Sequence, residues 1–225
     1  MKGTSRIMII AIDGPSGAGK STVAKLVSKK LGFEYIDTGA MYRALAYKAC
    51  KNNVEINEKN SEKLVNNTNI DYFNNSIYLD GDNVDNYIRD ENISKAASKI
   101  SALENVRIKM VTLQRNIAKN KSVILDGRDI GTHVFPNANY KFFITASVEE
   151  RAKRRYNQLK SENFNVDYDN ILADIFKRDE NDTNREISPL RIADDAIIID
   201  TTDMKIEDVV NYIINFIGGN TCYIK

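Results

Sequence analysis

The chain has 225 residues, with 32 Lys+Arg against 31 Asp+Glu, 42% hydrophobic residues and 28% charged residues. These values describe an ordinary globular protein. They exclude a disordered chain, which needs low hydrophobicity with high net charge, and a bulk nucleic-acid binder, which needs a strongly basic surface. Two cysteines, Cys50 and Cys222, and a single histidine, His133, are too few for a disulfide scaffold, a Cys/His zinc site or a Ser-His-Asp triad.

Lys2 and Arg6 precede an apolar run, residues 7–12, that ends at Asp13. The run is too short for a signal-peptide core, and no stretch approaches the ~20 apolar residues of a membrane span. A cytoplasmic protein is expected. The run reads instead as a strand buried on both faces. Residues 20–31 follow as a helix, with Val23, Leu26, Val27 and Leu31 at helical spacing and Gly32 as its stop. Residues 33–36 form a second strand and 40–50 a second helix. Between residues 69 and 90 the pattern breaks: Asp71-Tyr72-Phe73 and Ile77-Tyr78-Leu79 flank Asn74-Asn75-Ser76 as a β-hairpin, and Asp80-Gly81 adds another turn. Val106, Met110, Leu113 and Ile117 make one apolar helical stripe, read as core. Strands follow at 122–125, 140–145 and 196–199, with helices at 147–160 and 206–217 and a tail from Gly218. Strands alternating with helices predict an α/β fold: a five-stranded parallel sheet flanked by helices, with a small antiparallel β insert.

The first strand runs into Gly14-Pro15-Ser16-Gly17-Ala18-Gly19-Lys20-Ser21, followed by Thr22. This is the Walker A pattern in its proper strand–loop–helix setting. Glycines let backbone N–H groups wrap a phosphate, and the helix N-terminus adds its positive end. Lys20 reaches the β- and γ-phosphates of ATP, and the Ser21 hydroxyl suits Mg²⁺. None of the eleven glycines has Asp three residues before it, and Asn120-Lys121 is not followed by the residues of a guanine-reading motif, so a GTPase is excluded. A small kinase remains.

Three arginine-bearing segments point to the acceptor. Arg43 follows the second strand, Arg128 follows the strand ending at Asp126, and Arg178 and Arg185 lie late in the chain. In a doubly wound sheet the ligand crevice lies beyond the carboxyl ends of the strands, and arginine forks suit a phosphate. The acceptor on this evidence alone is open. A hydroxyl substrate would need a base, for which Asp37 and Asp126 stand available, and a nucleotide-dependent switch would need no acceptor.

The motifs IDGPSGAGKST (12–22), YIDTGAMYRA (35–44), AASKIS (96–101), LDGRDIGTHVFP (125–136), SVEERAKRR (147–155), RDENDTNR (178–185) and SPL (188–190) carry a resemblance to bacterial-type cytidylate kinases, over residues 9–217. The resemblance implies one P-loop kinase domain over residues 1–225. Its core would be residues 6–37, 120–146 and 183–217, its monophosphate-binding region 38–119, and its helical lid 147–170. The implied reaction moves the γ-phosphoryl group of ATP, with Mg²⁺, directly to CMP or dCMP. Gly14 through Thr22 would hold ATP, with Arg151, Arg154 and Arg155 reaching over it from the lid. Arg43, Arg128 and Arg185 would hold the CMP phosphate, and Thr38, where Ser is common in the family, adds a hydroxyl. Ser98, Arg107 and Asp129 would read the cytosine, and Arg178 and Asp182 the ribose. Lys20, Arg128, Arg154 and Arg185 would be catalytic, Ser21 the metal ligand and Asp126 its outer support. A carboxylate suits the N4 amine of cytosine and repels the O4 carbonyl of uracil. His133, at a variable position of its motif, is read as structural. A monomer acting on small molecules, with no nucleic-acid polymer or membrane as partner, completes the expectation.

Overall fold

The computed structural model describes residues 7–73 and 75–221; Lys2, Arg6, Cys222 and the turn residue Asn74 lie outside them. In chain order the elements are β1 (Ile9–Asp13), α1 (Lys20–Leu31), β2 (Glu34–Asp37), α2 (Thr38–Lys51), α3 (Glu58–Asn66), β3 (Ile70–Phe73), β4 (Ser76–Leu79), β5 (Asp82–Asn83), α4 (Glu91–Ile100), α5 (Glu104–Ile117), β6 (Val123–Gly127), a π-helical turn (Ile130–Val134), β7 (Tyr140–Thr145), α6 (Val148–Ser161), α7 (Tyr168–Asn184), β8 (Ile197–Asp200) and α8 (Ile206–Thr221). Five strands form a parallel sheet in the order β2-β6-β1-β7-β8, and β3-β4-β5 form a small antiparallel sheet. The chain divides into two compact units, residues 34–123 and residues 8–33 with 124–221.

In the second unit β1 lies inside the sheet, so Ile10, Ala11 and Ile12 are wholly buried. Its register pairs Ile10 with Tyr140 and Asp13 with Phe143. Each such Ile is worth about 1.5–3 kcal/mol of burial. The edge strand β8 alternates instead, with Ile199 buried and Ile198 57% exposed. Helix α1 begins at Gly19 and ends at Gly32, both in left-handed backbone, and the Gly32 N–H closes on the Ser28 carbonyl. Its buried face is Val23, Ala24 and Val27; Leu26, expected there, lies about 100° around the axis from Val27 and is exposed. The expected tail is partly helix, since α8 runs through Gly218 and Gly219 to Thr221.

No element was expected over α7. Its apolar stripe is short, Ile171, Leu172 and Ile175, and of its described residues Ile175 alone is buried. What holds its start is a cap: the Asp167 side chain accepts from the Asn170 N–H at 2.9 Å.

In the first unit Asp37 caps α2 by accepting from the Ala40 N–H at 2.8 Å, so the helix starts at Thr38, ahead of the expected residue 40. Asp80 and Gly81 both take positive φ between β4 and β5, the two-residue turn that a hairpin favours. The expected stripe on α5 is rotated. Val106 and Met110 are buried as expected, but Arg107, Val111 and Gln114 complete the buried face, and Leu113 and Ile117 are only half-buried. The apolar spacing misled because the helix buries two polar side chains.

Candidate active site

The phosphate loop joins β1 to α1 within the second unit. Gly14 has φ 146, and a Cβ there would meet the Ile144 carbonyl oxygen of β7 at 1.9 Å. Glycine is therefore required by packing as well as by backbone conformation. Gly17 (φ 76) presses on the Cβ of Arg151 at a distance of 3.2 Å from where its own Cβ would stand.

Lys20 is buried, and its ammonium donates to the Pro15 carbonyl at 2.6 Å. Burial pushes its pKa down to about 7, and the nearby Arg128 adds to the shift against the pull of Asp126, Asp182 and Asp13. The Ser21 hydroxyl donates to Asp126 Oδ2 at 2.7 Å. Hydroxyl and carboxylate oxygens side by side are a donor set that fits Mg²⁺.

Asp126 is buried near the end of β6, and the chain after it carries Arg128 and Asp129. Arg128 Nε donates to Asp182 Oδ2 at 2.7 Å. Arg185 lies between carboxylates, with Nη2 3.6 Å from Asp129 Oδ1 and Nη1 3.7 Å from Asp182 Oδ1. Burial opposes the charges on Arg128 and Asp182, but their mutual attraction outweighs it. It holds Arg128 above its ordinary pKa and Asp182 below. Arg178, one turn ahead of Asp182 on α7, is half-buried.

The three α6 arginines behave differently. Arg151 is buried against the phosphate loop and donates to the Ser16 carbonyl at 3.0 Å. Arg154 is directed to the carboxyl end of β8, donating to the Thr201 carbonyl at 2.6 Å and to Glu150 at 3.0 Å. Arg155 donates along its own helix to Gln158 at 3.1 Å. His133 is exposed on the π-helical turn.

The remaining expected site residues belong to the first unit. Arg43 pairs with Asp37 at 2.8 Å, and Thr38 is buried at the start of α2. Ser98 is half-buried on α4, and its carbonyl accepts from Ser101 Oγ. Arg107 is 2% exposed; it donates to the Ser101 carbonyl at 3.0 Å and lies over the Tyr42 ring.

A family model described as Cytidylate kinase matches residues 10–218. The chain belongs to the cytidylate kinase family. It is 53% identical to the cytidylate kinase of Alkaliphilus oremlandii over 93% of this chain and 97% of the relative. It is 48% identical to that of Clostridioides difficile over 94% and 98%. Family membership makes it a P-loop nucleoside monophosphate kinase. The fold also resembles that of an uncharacterized protein from Eubacterium ventriosum, with TM-score 0.51 at 15% identity over 94% of this chain and 98% of the other. Among the described residues no helix is long and apolar enough to cross a membrane.

Two site residues escaped the sequence reading. Asp13 accepts from the Ile130 and Gly131 amides at 2.9 and 2.7 Å, so it fixes the segment carrying Arg128 and Asp129. Burial pushes its pKa up to about 6. The signal was a carboxylate closing an apolar strand beside the loop. Asp179 bonds both Arg151 and the Ser16 N–H. Its signal was the 179, 182 spacing, about one helical turn, which places Asp179 beside Asp182 on α7.

Proposed function

We propose that the protein transfers the γ-phosphoryl group of ATP to CMP or dCMP, giving ADP and CDP or dCDP, by direct in-line displacement. The observation that carries this reading is the cluster in the second unit: Lys20, Ser21 and Asp126 at the phosphate loop, with Arg128, Asp129, Asp182 and Arg185 linked by ion pairs. The cytidylate kinases at 53% and 48% identity support the choice of base.

Gly14 through Thr22 bind the donor phosphates through backbone amides and the Lys20 ammonium. Ser21, supported by Asp126, would hold Mg²⁺, which when bound offsets charge on the β- and γ-phosphates. Arg43, Arg128 and Arg185 hold the acceptor phosphate. Asp129 accepts from the cytosine N4 amine, with Ser98 and Arg107 serving the acceptors at N3 and O2. Arg178 and Asp182 orient the ribose. The acceptor is a phosphate oxygen, already dianionic near neutrality because its second pKa is about 6, so no protein base is required. Catalysis is positioning and charge compensation. Residues 147–170 act as the lid that excludes water, with Arg151, Arg154 and Arg155 as the arginines that would reach the donor on closure. The same reading has a cytoplasmic monomer that acts on small molecules.

ADP release measured over a panel of monophosphates and hydroxyl acceptors tests this. The reading requires a cytidine nucleotide to give the highest kcat/KM. A preferred hydroxyl substrate, another base, or turnover independent of acceptor overturns it.

A further inference from the structure

The backbone of Ser16 in the phosphate loop is held on both sides of its Cα. Its N–H donates to Asp179 Oδ1 at 3.3 Å, and its carbonyl accepts from Arg151 Nη1 at 3.0 Å. Arg151 Nη1 also donates to Asp179 Oδ2, and Arg151 Nε donates to the Ala146 carbonyl at 2.9 Å. Arg151 and Asp179 side chains are only 7% and 20% exposed. The three groups come from three separate elements: the loop, α6 and α7.

Charge makes this arrangement unexpected. A carboxylate beside a site for a triphosphate repels the ligand, and the repulsion is strongest where water is scarce. A site selected for anion binding alone would dispense with it. The bonds give it another role. With both carboxylate oxygens engaged, the Arg151 guanidinium is fixed in one rotamer, with Nε and Nη1 committed to protein acceptors and Nη2 left for a ligand. The Ser16 N–H and carbonyl belong to the two peptides that flank its Cα, so holding both fixes the backbone at Ser16 and the amides that follow keep one orientation. Preorganised donors of this kind add affinity because their ordering is complete before the ligand arrives.

We propose that Asp179 is a positioning residue of the donor site: its carboxylate joins the Arg151 guanidinium to the Ser16 N–H and holds loop, α6 and α7 in the geometry that receives the donor phosphates. This rests on the reading of residues 14–22 as the donor site.

The test is the affinity of the full chain for ADP, measured calorimetrically for the wild type, Asp179→Asn, Asp179→Glu, Arg151→Met and the Arg151→Met/Asp179→Asn double variant. Asp179→Asn keeps the shape and removes the charge. The proposal expects about tenfold weaker ADP binding, the scale of one lost charge-assisted hydrogen bond. KM for ATP should rise with a smaller change in kcat, and CMP affinity should stay within twofold. Asp179→Glu restores most of the affinity, and in the Arg151→Met background Asp179→Asn costs little more. Tighter ADP binding by Asp179→Asn overturns the proposal, because the carboxylate would then be a repulsive charge only. An undiminished tenfold loss without Arg151 overturns it too. If Lys20→Ala leaves ADP binding unchanged, the donor-site reading itself fails, an outcome separate from either.

Discussion

The carboxylate of Asp182 stands between two arginines, accepting from Arg128 Nε at 2.7 Å while its other oxygen lies 3.7 Å from Arg185 Nη1. Removing it takes away the hydrogen-bonded carboxylate of Arg128 and one of the two carboxylates beside Arg185. Asp182→Ala should destabilise the protein by about 2 kcal/mol, below the roughly 3–5 kcal/mol of a fully buried pair. Asp182 has a folded pKa below its ordinary value. Its contribution is therefore present above the unfolded pKa of about 3.9 and is lost as pH falls through the folded value. Urea denaturation should show the gap between wild type and variant at pH 7 and a smaller gap at pH 3.

Asp13 carries the opposite sign. Its folded pKa is raised from 3.8 to about 6 by burial, so the folded state holds its proton more tightly. The stability it contributes is complete below about pH 4 and lost as pH rises through about 6. The shift corresponds to roughly 3 kcal/mol. Asp13→Asn removes this dependence but gives up one of the two amide hydrogen bonds, at about 1 kcal/mol. Relative to Asp13→Asn, the wild type should lose stability between about pH 4 and 6 and level off above. A gap of constant size across that range would show that Asp13 does not titrate there.

Lys20, held near 7 by burial and by Arg128, is mostly neutral at pH 8 without nucleotide. Donor phosphates favour its ammonium form, so binding raises its pKa and takes up a proton. Calorimetry of ADP binding at pH 8, repeated in buffers of different ionisation enthalpy, should report uptake approaching one proton in the wild type. Lys20→Ala should abolish that uptake, weaken ADP binding and lower kcat severely, while CMP affinity changes less.

Gly14→Ala tests the packing of the loop. The added Cβ would overlap the Ile144 carbonyl oxygen at 1.9 Å, and that atom is backbone, so β1 and β7 must separate. A cost of about 3 kcal/mol is expected, with a fall in Tm of roughly 6–12 °C for a chain of this size. By contrast, Gly19→Ala meets nothing within 4 Å and carries only the strain of its left-handed φ of 83. Its Tm should fall less.

Sequence alone disclosed what local pattern encodes. The apolar run ending at Asp13, the loop from Gly14 to Ser21 and the stop at Gly32 sufficed for β1, the phosphate site and α1. Helix α7 was hidden because its apolar residues, Ile171, Leu172 and Ile175, are confined to its first half, while the acids of its second half find their partners, Arg151 and Arg128, on other elements. The face of α5 was misjudged for a related reason: Arg107 is buried through the Ser101 carbonyl and the Tyr42 ring, contacts that no hydropathy period records. The roles of Asp13 and Asp179 rest on partners 117 and 163 positions away, which spacing in sequence does not disclose. The balanced total of 32 basic against 31 acidic residues likewise says nothing of the arginines gathered around Asp182 and Asp129.

On the proposed function, this cluster selects a cytidine nucleotide through Asp129. The direct measurement is kcat/KM for CMP and for UMP in the wild type and in Asp129→Ala. Asp129 also lies 3.6 Å from Arg185, so general damage to the phosphate site would lower both values and cancel in their ratio. With one base-reading contact worth about 1–3 kcal/mol, the CMP value should fall about ten to a hundred times more than the UMP value. Equal losses for the two nucleotides would contradict the account.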